Sequence, residues 1–157
     1  MQNIDLNEII ELEKDLKQIS DSVLSQNLTQ AAFIAGSRIQ SDARATVAVD
    51  TGALKISIEN SVSQGSTDIT ASVGPTQPYG KDIEFGRPPG THVSPAALMG
   101  WAKRKGLNPY AVAKSIERKG SPAQPFLFPA FEKNERGITQ IIAQGVVNAF
   151  KQVFNLK

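Results

Sequence analysis

The sequence predicts an α+β fold: a small antiparallel sheet of about three to four strands packed against N- and C-terminal helices, with two short helices inserted. Three observations point there. Apolar residues recur at helical spacing near both ends, as Ile9, Leu12, Leu16, Ile19, Val23 and as Ile138, Ile142, Val146, Ala149, Val153. Between residues 53 and 85 they alternate as in half-buried strands. Between residues 94 and 122, Pro and Gly stand where helices start and stop. With 157 residues the chain can bury one proper core, so it is expected to form a single domain. Its expected parts are an N-terminal helix over 1–26, a core over 27–135 and a C-terminal helix over 136–157.

Asp5 and Glu8 form a D-x-x-E capping pair ahead of the first stripe, which repeats at 3-4-3-4 spacing. That stripe suits the chain's own core or a seam with another copy. Asn27 with Gln30 then opens a second helix, whose face of Leu28, Ala31, Ala35, Ile39 and Ala43 is rich in small residues and allows close approach. Ala53 to Val62 reads as a first strand with Leu54, Ile56 and Ile58 on one face. Gln64-Gly65-Ser66 is a turn, and Ile69 to Val73 returns with Ile69, Ala71 and Val73 inward. Tyr79 to Phe85 reads as a third strand offering Tyr79, Ile83 and Phe85 to the core. The stretch Arg87 to Thr91 (RPPGT) is an extended, partly rigid loop, because two prolines lack the donors a central strand needs. Ser94-Pro95 and Gly106 bracket one short helix and Asn108-Pro109 and Gly120 bracket the next, with Leu98, Trp101 and Val112 as the expected buried residues of the pair. Gln124 to Phe128 is expected to be extended, and Pro129 to begin the last helix. Phe126, Phe128 and Phe131 are assigned to core packing.

Composition excludes several classes of function. The net charge of +2 gives no bulk electrostatic case for nucleic acid or an anionic membrane. No Cys is present, which removes disulfides, thiolate metal sites and Cys nucleophiles, and a single His disfavours zinc. The acidic, amphipathic start is unlike a signal peptide, and no apolar run approaches the roughly 20 residues that span a bilayer. Synthesis in a cytoplasm, with no membrane partner, is the expectation. Charge is nevertheless uneven. Residues 1–21 carry six acids against Lys14 and Lys17, and residues 103–119 carry six basic residues against Glu117. Two solvated helix faces explain this; so does head-to-tail matching between copies.

Two motifs suggest other chemistry. Asp50-Thr51-Gly52 after Val47-Ala48-Val49 resembles the catalytic loop of aspartic proteases, where paired carboxylates share a proton. The hydrophobic strand and flap of such enzymes are missing, and a turn in which Asp50 accepts backbone hydrogen bonds is simpler. Ala96 to Lys119 has the helix–turn–helix spacing of DNA-binding modules. Lys105 and Ser115, however, fall where such modules bury apolar residues, and the start of the second helix is poor in base-reading side chains. His92 reads as a loop histidine and Glu84 as a lone strand acid facing solvent. One carboxylate without a partner is not an acid–base pair. No phosphate-binding glycine loop is present. The sequence therefore indicates no catalytic, cofactor or metal site, and no enzyme.

Three motifs in order carry a resemblance: Thr51, Gly52, Leu54, Ser57, Ile58; then Val73, Gly74, Tyr79, Glu84, Gly86; then Gly120, Pro125, Phe126, Leu127, Pro129, Ala130. Over roughly residues 45–135 the chain resembles the neck, head–tail joining or tail-completion proteins of tailed bacteriophages. The segment 87–119 is longer than the short linker of many relatives. The resemblance implies a structural virion protein that joins the head connector to the tail as a ring of copies around the channel axis. Its implied partners are other copies of itself, connector or head-closure proteins, tail terminator or tube proteins, and channel DNA without sequence specificity. The alternative is a small helix–turn–helix DNA-binding protein. Closed rings need two different surfaces on each copy. The candidates are the loop (Arg87, Pro88, Pro89, Thr91, His92), the basic residues Lys103, Arg104 and Lys105, and the acidic residues Glu8, Glu11 and Asp15.

Overall fold

Eight elements follow one another along the chain: α1 (Leu6–Thr46), α2 (Ala53–Ile56), β1 (Ile58–Gln64), β2 (Ile69–Pro75), α3 (Gly80–Phe85), α4 (Pro95–Arg104), α5 (Pro109–Lys119) and α6 (Leu127–Phe154). The computed structural model describes the backbone of residues 6–154; within α1 it describes side chains from Asp21 on, and those of Lys14 and Lys17. The expected Asp5–Glu8 cap lies outside the described residues. Contacts group the chain into two compact units. One comprises α1 up to Arg38, Asn60–Ser72 and α6 from Lys133 on; the other comprises Ile39–Glu59 and Val73–Glu132.

The fold is α+β, but its sheet has two antiparallel strands, β1 and β2, rather than three or four. The start of the expected first strand, Ala53–Ile56, is helical while its remainder forms β1, and the expected third strand is the helix α3. Leu54 and Ile58 are buried four residues apart while Ile56 is 75% exposed, the spacing of a helical turn and not of a strand. Likewise Tyr79–Ile83 and Gly80–Glu84 are spaced by four, and α3 buries Gly80 and Glu84 while Phe85 stays 77% exposed. The expected break between two N-terminal helices at 26/27 is also absent. Asn27 sits inside α1, where its Nδ2 donates to the Val23 carbonyl at 2.9 Å. The last helix begins at Leu127, two residues before Pro129.

In the first unit α1 and α6 run antiparallel. A β-carbon on Gly145 would stand 2.8 Å from that of Ala31, and Asn27 Nδ2 donates to Gln152 Oε1 at 3.2 Å. Small residues make this approach, with Ala31, Ala32, Ala35 and Ala149 buried. The hairpin lies along α1, and Asn60 Nδ2 donates to the Phe33 carbonyl and to Ser37 Oγ. An isolated two-stranded hairpin is marginal, so this helix backing stabilises it. In the second unit the core is Ala43, Val47, Leu54, Ile58, Phe126 and Ala130, with Ile39, Val73, Ile83 and Leu127 packed against it. Arg44 Nη2 donates to the Ile58 carbonyl at 2.6 Å, and the Thr76 N–H donates to the Ser57 carbonyl at 2.9 Å, fixing the ends of the hairpin there.

Candidate functional site

The most ordered polar arrangement is built around Glu84. An α-helix starts with N–H groups that have no carbonyl one turn back. The chain enters α6 at Phe126-Leu127-Phe128, and all three N–H groups donate to the carboxylate of Glu84, at 2.8, 2.9 and 2.9 Å. Glu84 is only 4% exposed, so it is the opposite of a solvent-facing strand acid. The side-chain oxygens of Glu84 stand where the helix start offers its unpaired N–H groups and the positive end of the α6 dipole. The Gln124 N–H donates to the Ile83 carbonyl at 2.8 Å, so α3 holds the whole approach to α6. Phe126 is fully buried beneath this junction.

Next to the junction, the Arg87–Thr91 loop is tied to the end of α5. Arg87 and Ser121 exchange backbone hydrogen bonds at 3.0 and 2.9 Å, and the Gly90 N–H donates to the Glu117 carbonyl at 2.7 Å. Arg87 Nη2 also donates to Asp82 Oδ2 at 2.6 Å. Gly86 and Gly120 have φ of 71° and 74°. A β-carbon at Gly120 would lie 2.2 Å from the Arg87 carbonyl oxygen, so only glycine meets both demands.

Beyond the loop, α4 packs on α5. Asn108 Oδ1 accepts from the N–H groups of Tyr110 and Ala111 at 2.9 and 3.3 Å, the cap that its position promised. Ser94 makes no such side-chain bond, and α4 starts from Pro95 alone. The residues buried in this hairpin are Ala102 and Ala113; Leu98 and Val112 are half-buried, and Trp101 lies at the surface. Arg104 forms an ion pair with Asp50, its Nε 3.1 and 3.0 Å from the two carboxylate oxygens and its Nη2 closing on Oδ2. This hydrogen-bonded guanidinium holds the Asp50 carboxyl below its ordinary range, and Asp50 raises Arg104 in turn. The Asp50 of the DTG motif is thus a partner of Arg104 in a turn where Gly52 has φ 83°.

The sequence-predicted interface residues divide into three groups. Arg87 and Thr91 are partly buried, Arg87 bonded to Asp82 and Ser121 and Thr91 Oγ1 donating to the Pro88 carbonyl, while Pro88, Pro89 and His92 are exposed. Lys103, Arg104 and Lys105 are all exposed at the end of α4, with Arg104 engaged by Asp50. Glu8, Glu11 and Asp15 lie on the α1 backbone, and their side chains are outside the described residues. Two features were missed. Glu84 has its partners more than 40 residues away, and only the shared motif signalled it. Phe85, Phe128 and Phe131, all assigned to the core, are exposed large apolar side chains beside that junction. Among the described residues no cluster of three or more His, Cys, Asp or Glu could hold a metal, and no helix is long and apolar enough to cross a membrane.

No curated protein and no solved structure matches the chain. A family model does match, described as "Bacteriophage HK97-gp10, putative tail-component", over residues 10–86. The matched stretch runs from the first turns of α1 to the glycine that ends α3, just before the 87–91 loop and the α4–α5 hairpin. It includes the first two sequence motifs and Glu84, on which the start of α6 depends. Over residues 10–86 the chain is thus similar to the HK97-gp10-like family of bacteriophage tail components.

Proposed function

We propose that this tail component is a structural part of the phage neck, joining the head connector to the tail as a ring of copies. The family assignment carries this reading. The three motifs support it, because they build one rigid junction of backbone, cap and core and leave no side chain poised for catalysis there. The exposed Phe85, Phe128 and Phe131 support it further, since large apolar groups at a surface mark protein contacts. The second surface of each copy is the α4–α5 hairpin with its neighbouring loop. Pro88, Pro89 and His92 face outward from the loop, and Lys103, Lys105, Lys114, Arg118 and Lys119 are exposed on the hairpin. The acidic stretch of α1 with Glu8, Glu11 and Asp15 is the complementary partner on the next copy. Connector or head-closure proteins and tail terminator or tube proteins are the neighbouring rings.

A second reading has one observation in its favour. Along α5, Ala111, Lys114, Ser115 and Arg118 share an exposed face, as a DNA-contacting helix would present. In a neck that face meets channel DNA without sequence specificity; outside a virion it makes a small helix–turn–helix protein. Electron microscopy of lysates from a phage lacking the gene separates the readings. Filled heads beside separate, completed tails are expected. Normally joined particles would overturn the neck assignment and favour the DNA-binding protein, whose duplex affinity falls steeply with salt.

A further inference from the structure

One face of α6 has no counterpart in its own chain among the described residues. Ala143, Val147, Phe150 and Phe154 follow one another at 4-3-4 spacing, and all four are exposed. Phe150 is 56% and Phe154 62% exposed, and their rings stack at 6.2 Å. That spacing is a heptad seam, the pattern that seats another helix. It lies apart from the α6 face that meets α1, which uses Gly145, Ala149 and Gln152.

A matching seam exists in the sequence. Ile9, Leu12, Leu16, Ile19 and Val23 repeat at 3-4-3-4 spacing in the first half of α1. The chain's own register keeps the two apart. Ala31 lies beside Gly145, Asn27 bonds to Gln152, and Arg38 lies beside Gly137, so the end of α6 at Phe154 stands level with about residue 22 of α1. The hairpin also stays alongside residues further on, with Val62 and Gln64 grouped with Gln26, Thr29, Gln30 and Phe33. The first four or so turns of α1 thus project beyond both companions, by about 24 Å at 1.5 Å per residue. A continuous helix cannot fold those turns back onto its own α6.

We infer that residues 6–21 of α1 from one copy pack on the Ala143–Val147–Phe150–Phe154 seam of α6 in a second copy. Charge favours the same pairing. Residues 1–21 carry Asp5, Glu8, Glu11, Glu13, Asp15 and Asp21 against two lysines, whereas residues 136–157 carry Arg136, Lys151 and Lys157 and no carboxylate. Donor segment and acceptor seam are different surfaces, so the contact is heterologous and propagates from copy to copy. In that respect it deepens the proposed ring and rests on it. The seam supplies only about two heptads, well short of the roughly 800 Å² per partner of a stable isolated interface. Association is therefore concentration-dependent in the free protein and reinforced where copies are gathered.

The absence of cysteine makes a direct test available. Single-cysteine chains Leu12→Cys and Val147→Cys, one isotope-labelled, are mixed and oxidised, and the disulfides are identified by mass spectrometry. The mixed disulfide is expected at least fivefold above a control pair of Leu12→Cys with Lys55→Cys. A mixed disulfide at the control level, or only Leu12–Leu12 homodimers, overturns the pairing. Sedimentation of the full chain gives a second readout. Phe150→Glu/Phe154→Glu, at exposed positions, is expected to abolish concentration-dependent association while leaving the melting temperature unchanged. A wild-type chain that stays monomeric at the highest soluble concentration overturns the inference, even if the same variant blocks virion assembly, because the seam then serves another protein. Joined particles in the gene-deletion test with an intact mixed disulfide would instead remove the neck reading and leave the helix pairing standing.

Discussion

A single carboxylate, Glu84, decides how α6 begins. It satisfies three N–H groups at the helix start, one buried and two partly buried, that have no carbonyl one turn back. Glu84→Ala is expected to destabilise the fold by about 3 kcal/mol, and Glu84→Gln by less, because an amide oxygen still accepts; urea unfolding measures both. Phe126→Ala should cost about 3–5 kcal/mol by leaving a cavity where the ring is fully enclosed. Phe128→Ala and Phe131→Ala, at exposed positions, should change stability by no more than about 0.5 kcal/mol and weaken assembly instead. Equal losses at all three phenylalanines would refute that distinction. Asp50 gives the pH dependence. Its pKa is depressed in the folded state from the ordinary 3.8, so its contribution is present above that value and fades as pH falls through the lower folded value. NMR titration should find Asp50 ionising below 3.8, and Arg104→Gln should return it toward that value.

At the level of elements, the loop and the end of α5 depend on glycine geometry. Gly106 and Gly120 both have positive φ, but a β-carbon at Gly106 meets open space and one at Gly120 meets the Arg87–Pro89 backbone. Gly106→Ala is expected to cost about 1 kcal/mol from backbone strain alone. Gly120→Ala should cost clearly more and loosen the 87–91 loop, seen as faster amide exchange at Gly90. Similar losses in thermal stability for the two variants would show that the loop is not held by that close approach. The same contacts close the segment 87–119 on itself: Arg87 and Ser121 bring its ends back together.

For the whole molecule, a chain of net charge +2 hides a strong polarity. Reversing Lys103 and Lys105 to Glu, while keeping Arg104 for its bond to Asp50, tests whether the basic hairpin matters to assembly. Reduced particle joining, with remaining assembly less sensitive to salt, is expected. Unchanged joining would remove the charge-matching surface from the neck reading and leave the apolar surfaces as its basis.

The sequence by itself determined the helical ends, the hairpin turn, the Asn108 and Pro95 helix starts and the likeness to a phage tail-component family. Each of these rests on local information: apolar period, turn chemistry, or a motif read in order. It did not determine the strand count, because Tyr79–Ile83 fits a helical turn as well as an alternating strand, nor where β1 begins, because Leu54–Ile58 does so too; packing around Phe126 chose the helical turns. Nor did it show that Glu84 is buried, since its partners lie far along the chain and only folding brings an acid to the start of α6. The helix register was equally hidden. Side-chain contacts between α1 and α6 decide where α6 ends along α1, and so which of two similar apolar stripes meets its own chain and which is left for another. Local chemistry wrote the elements; long-range packing chose their faces.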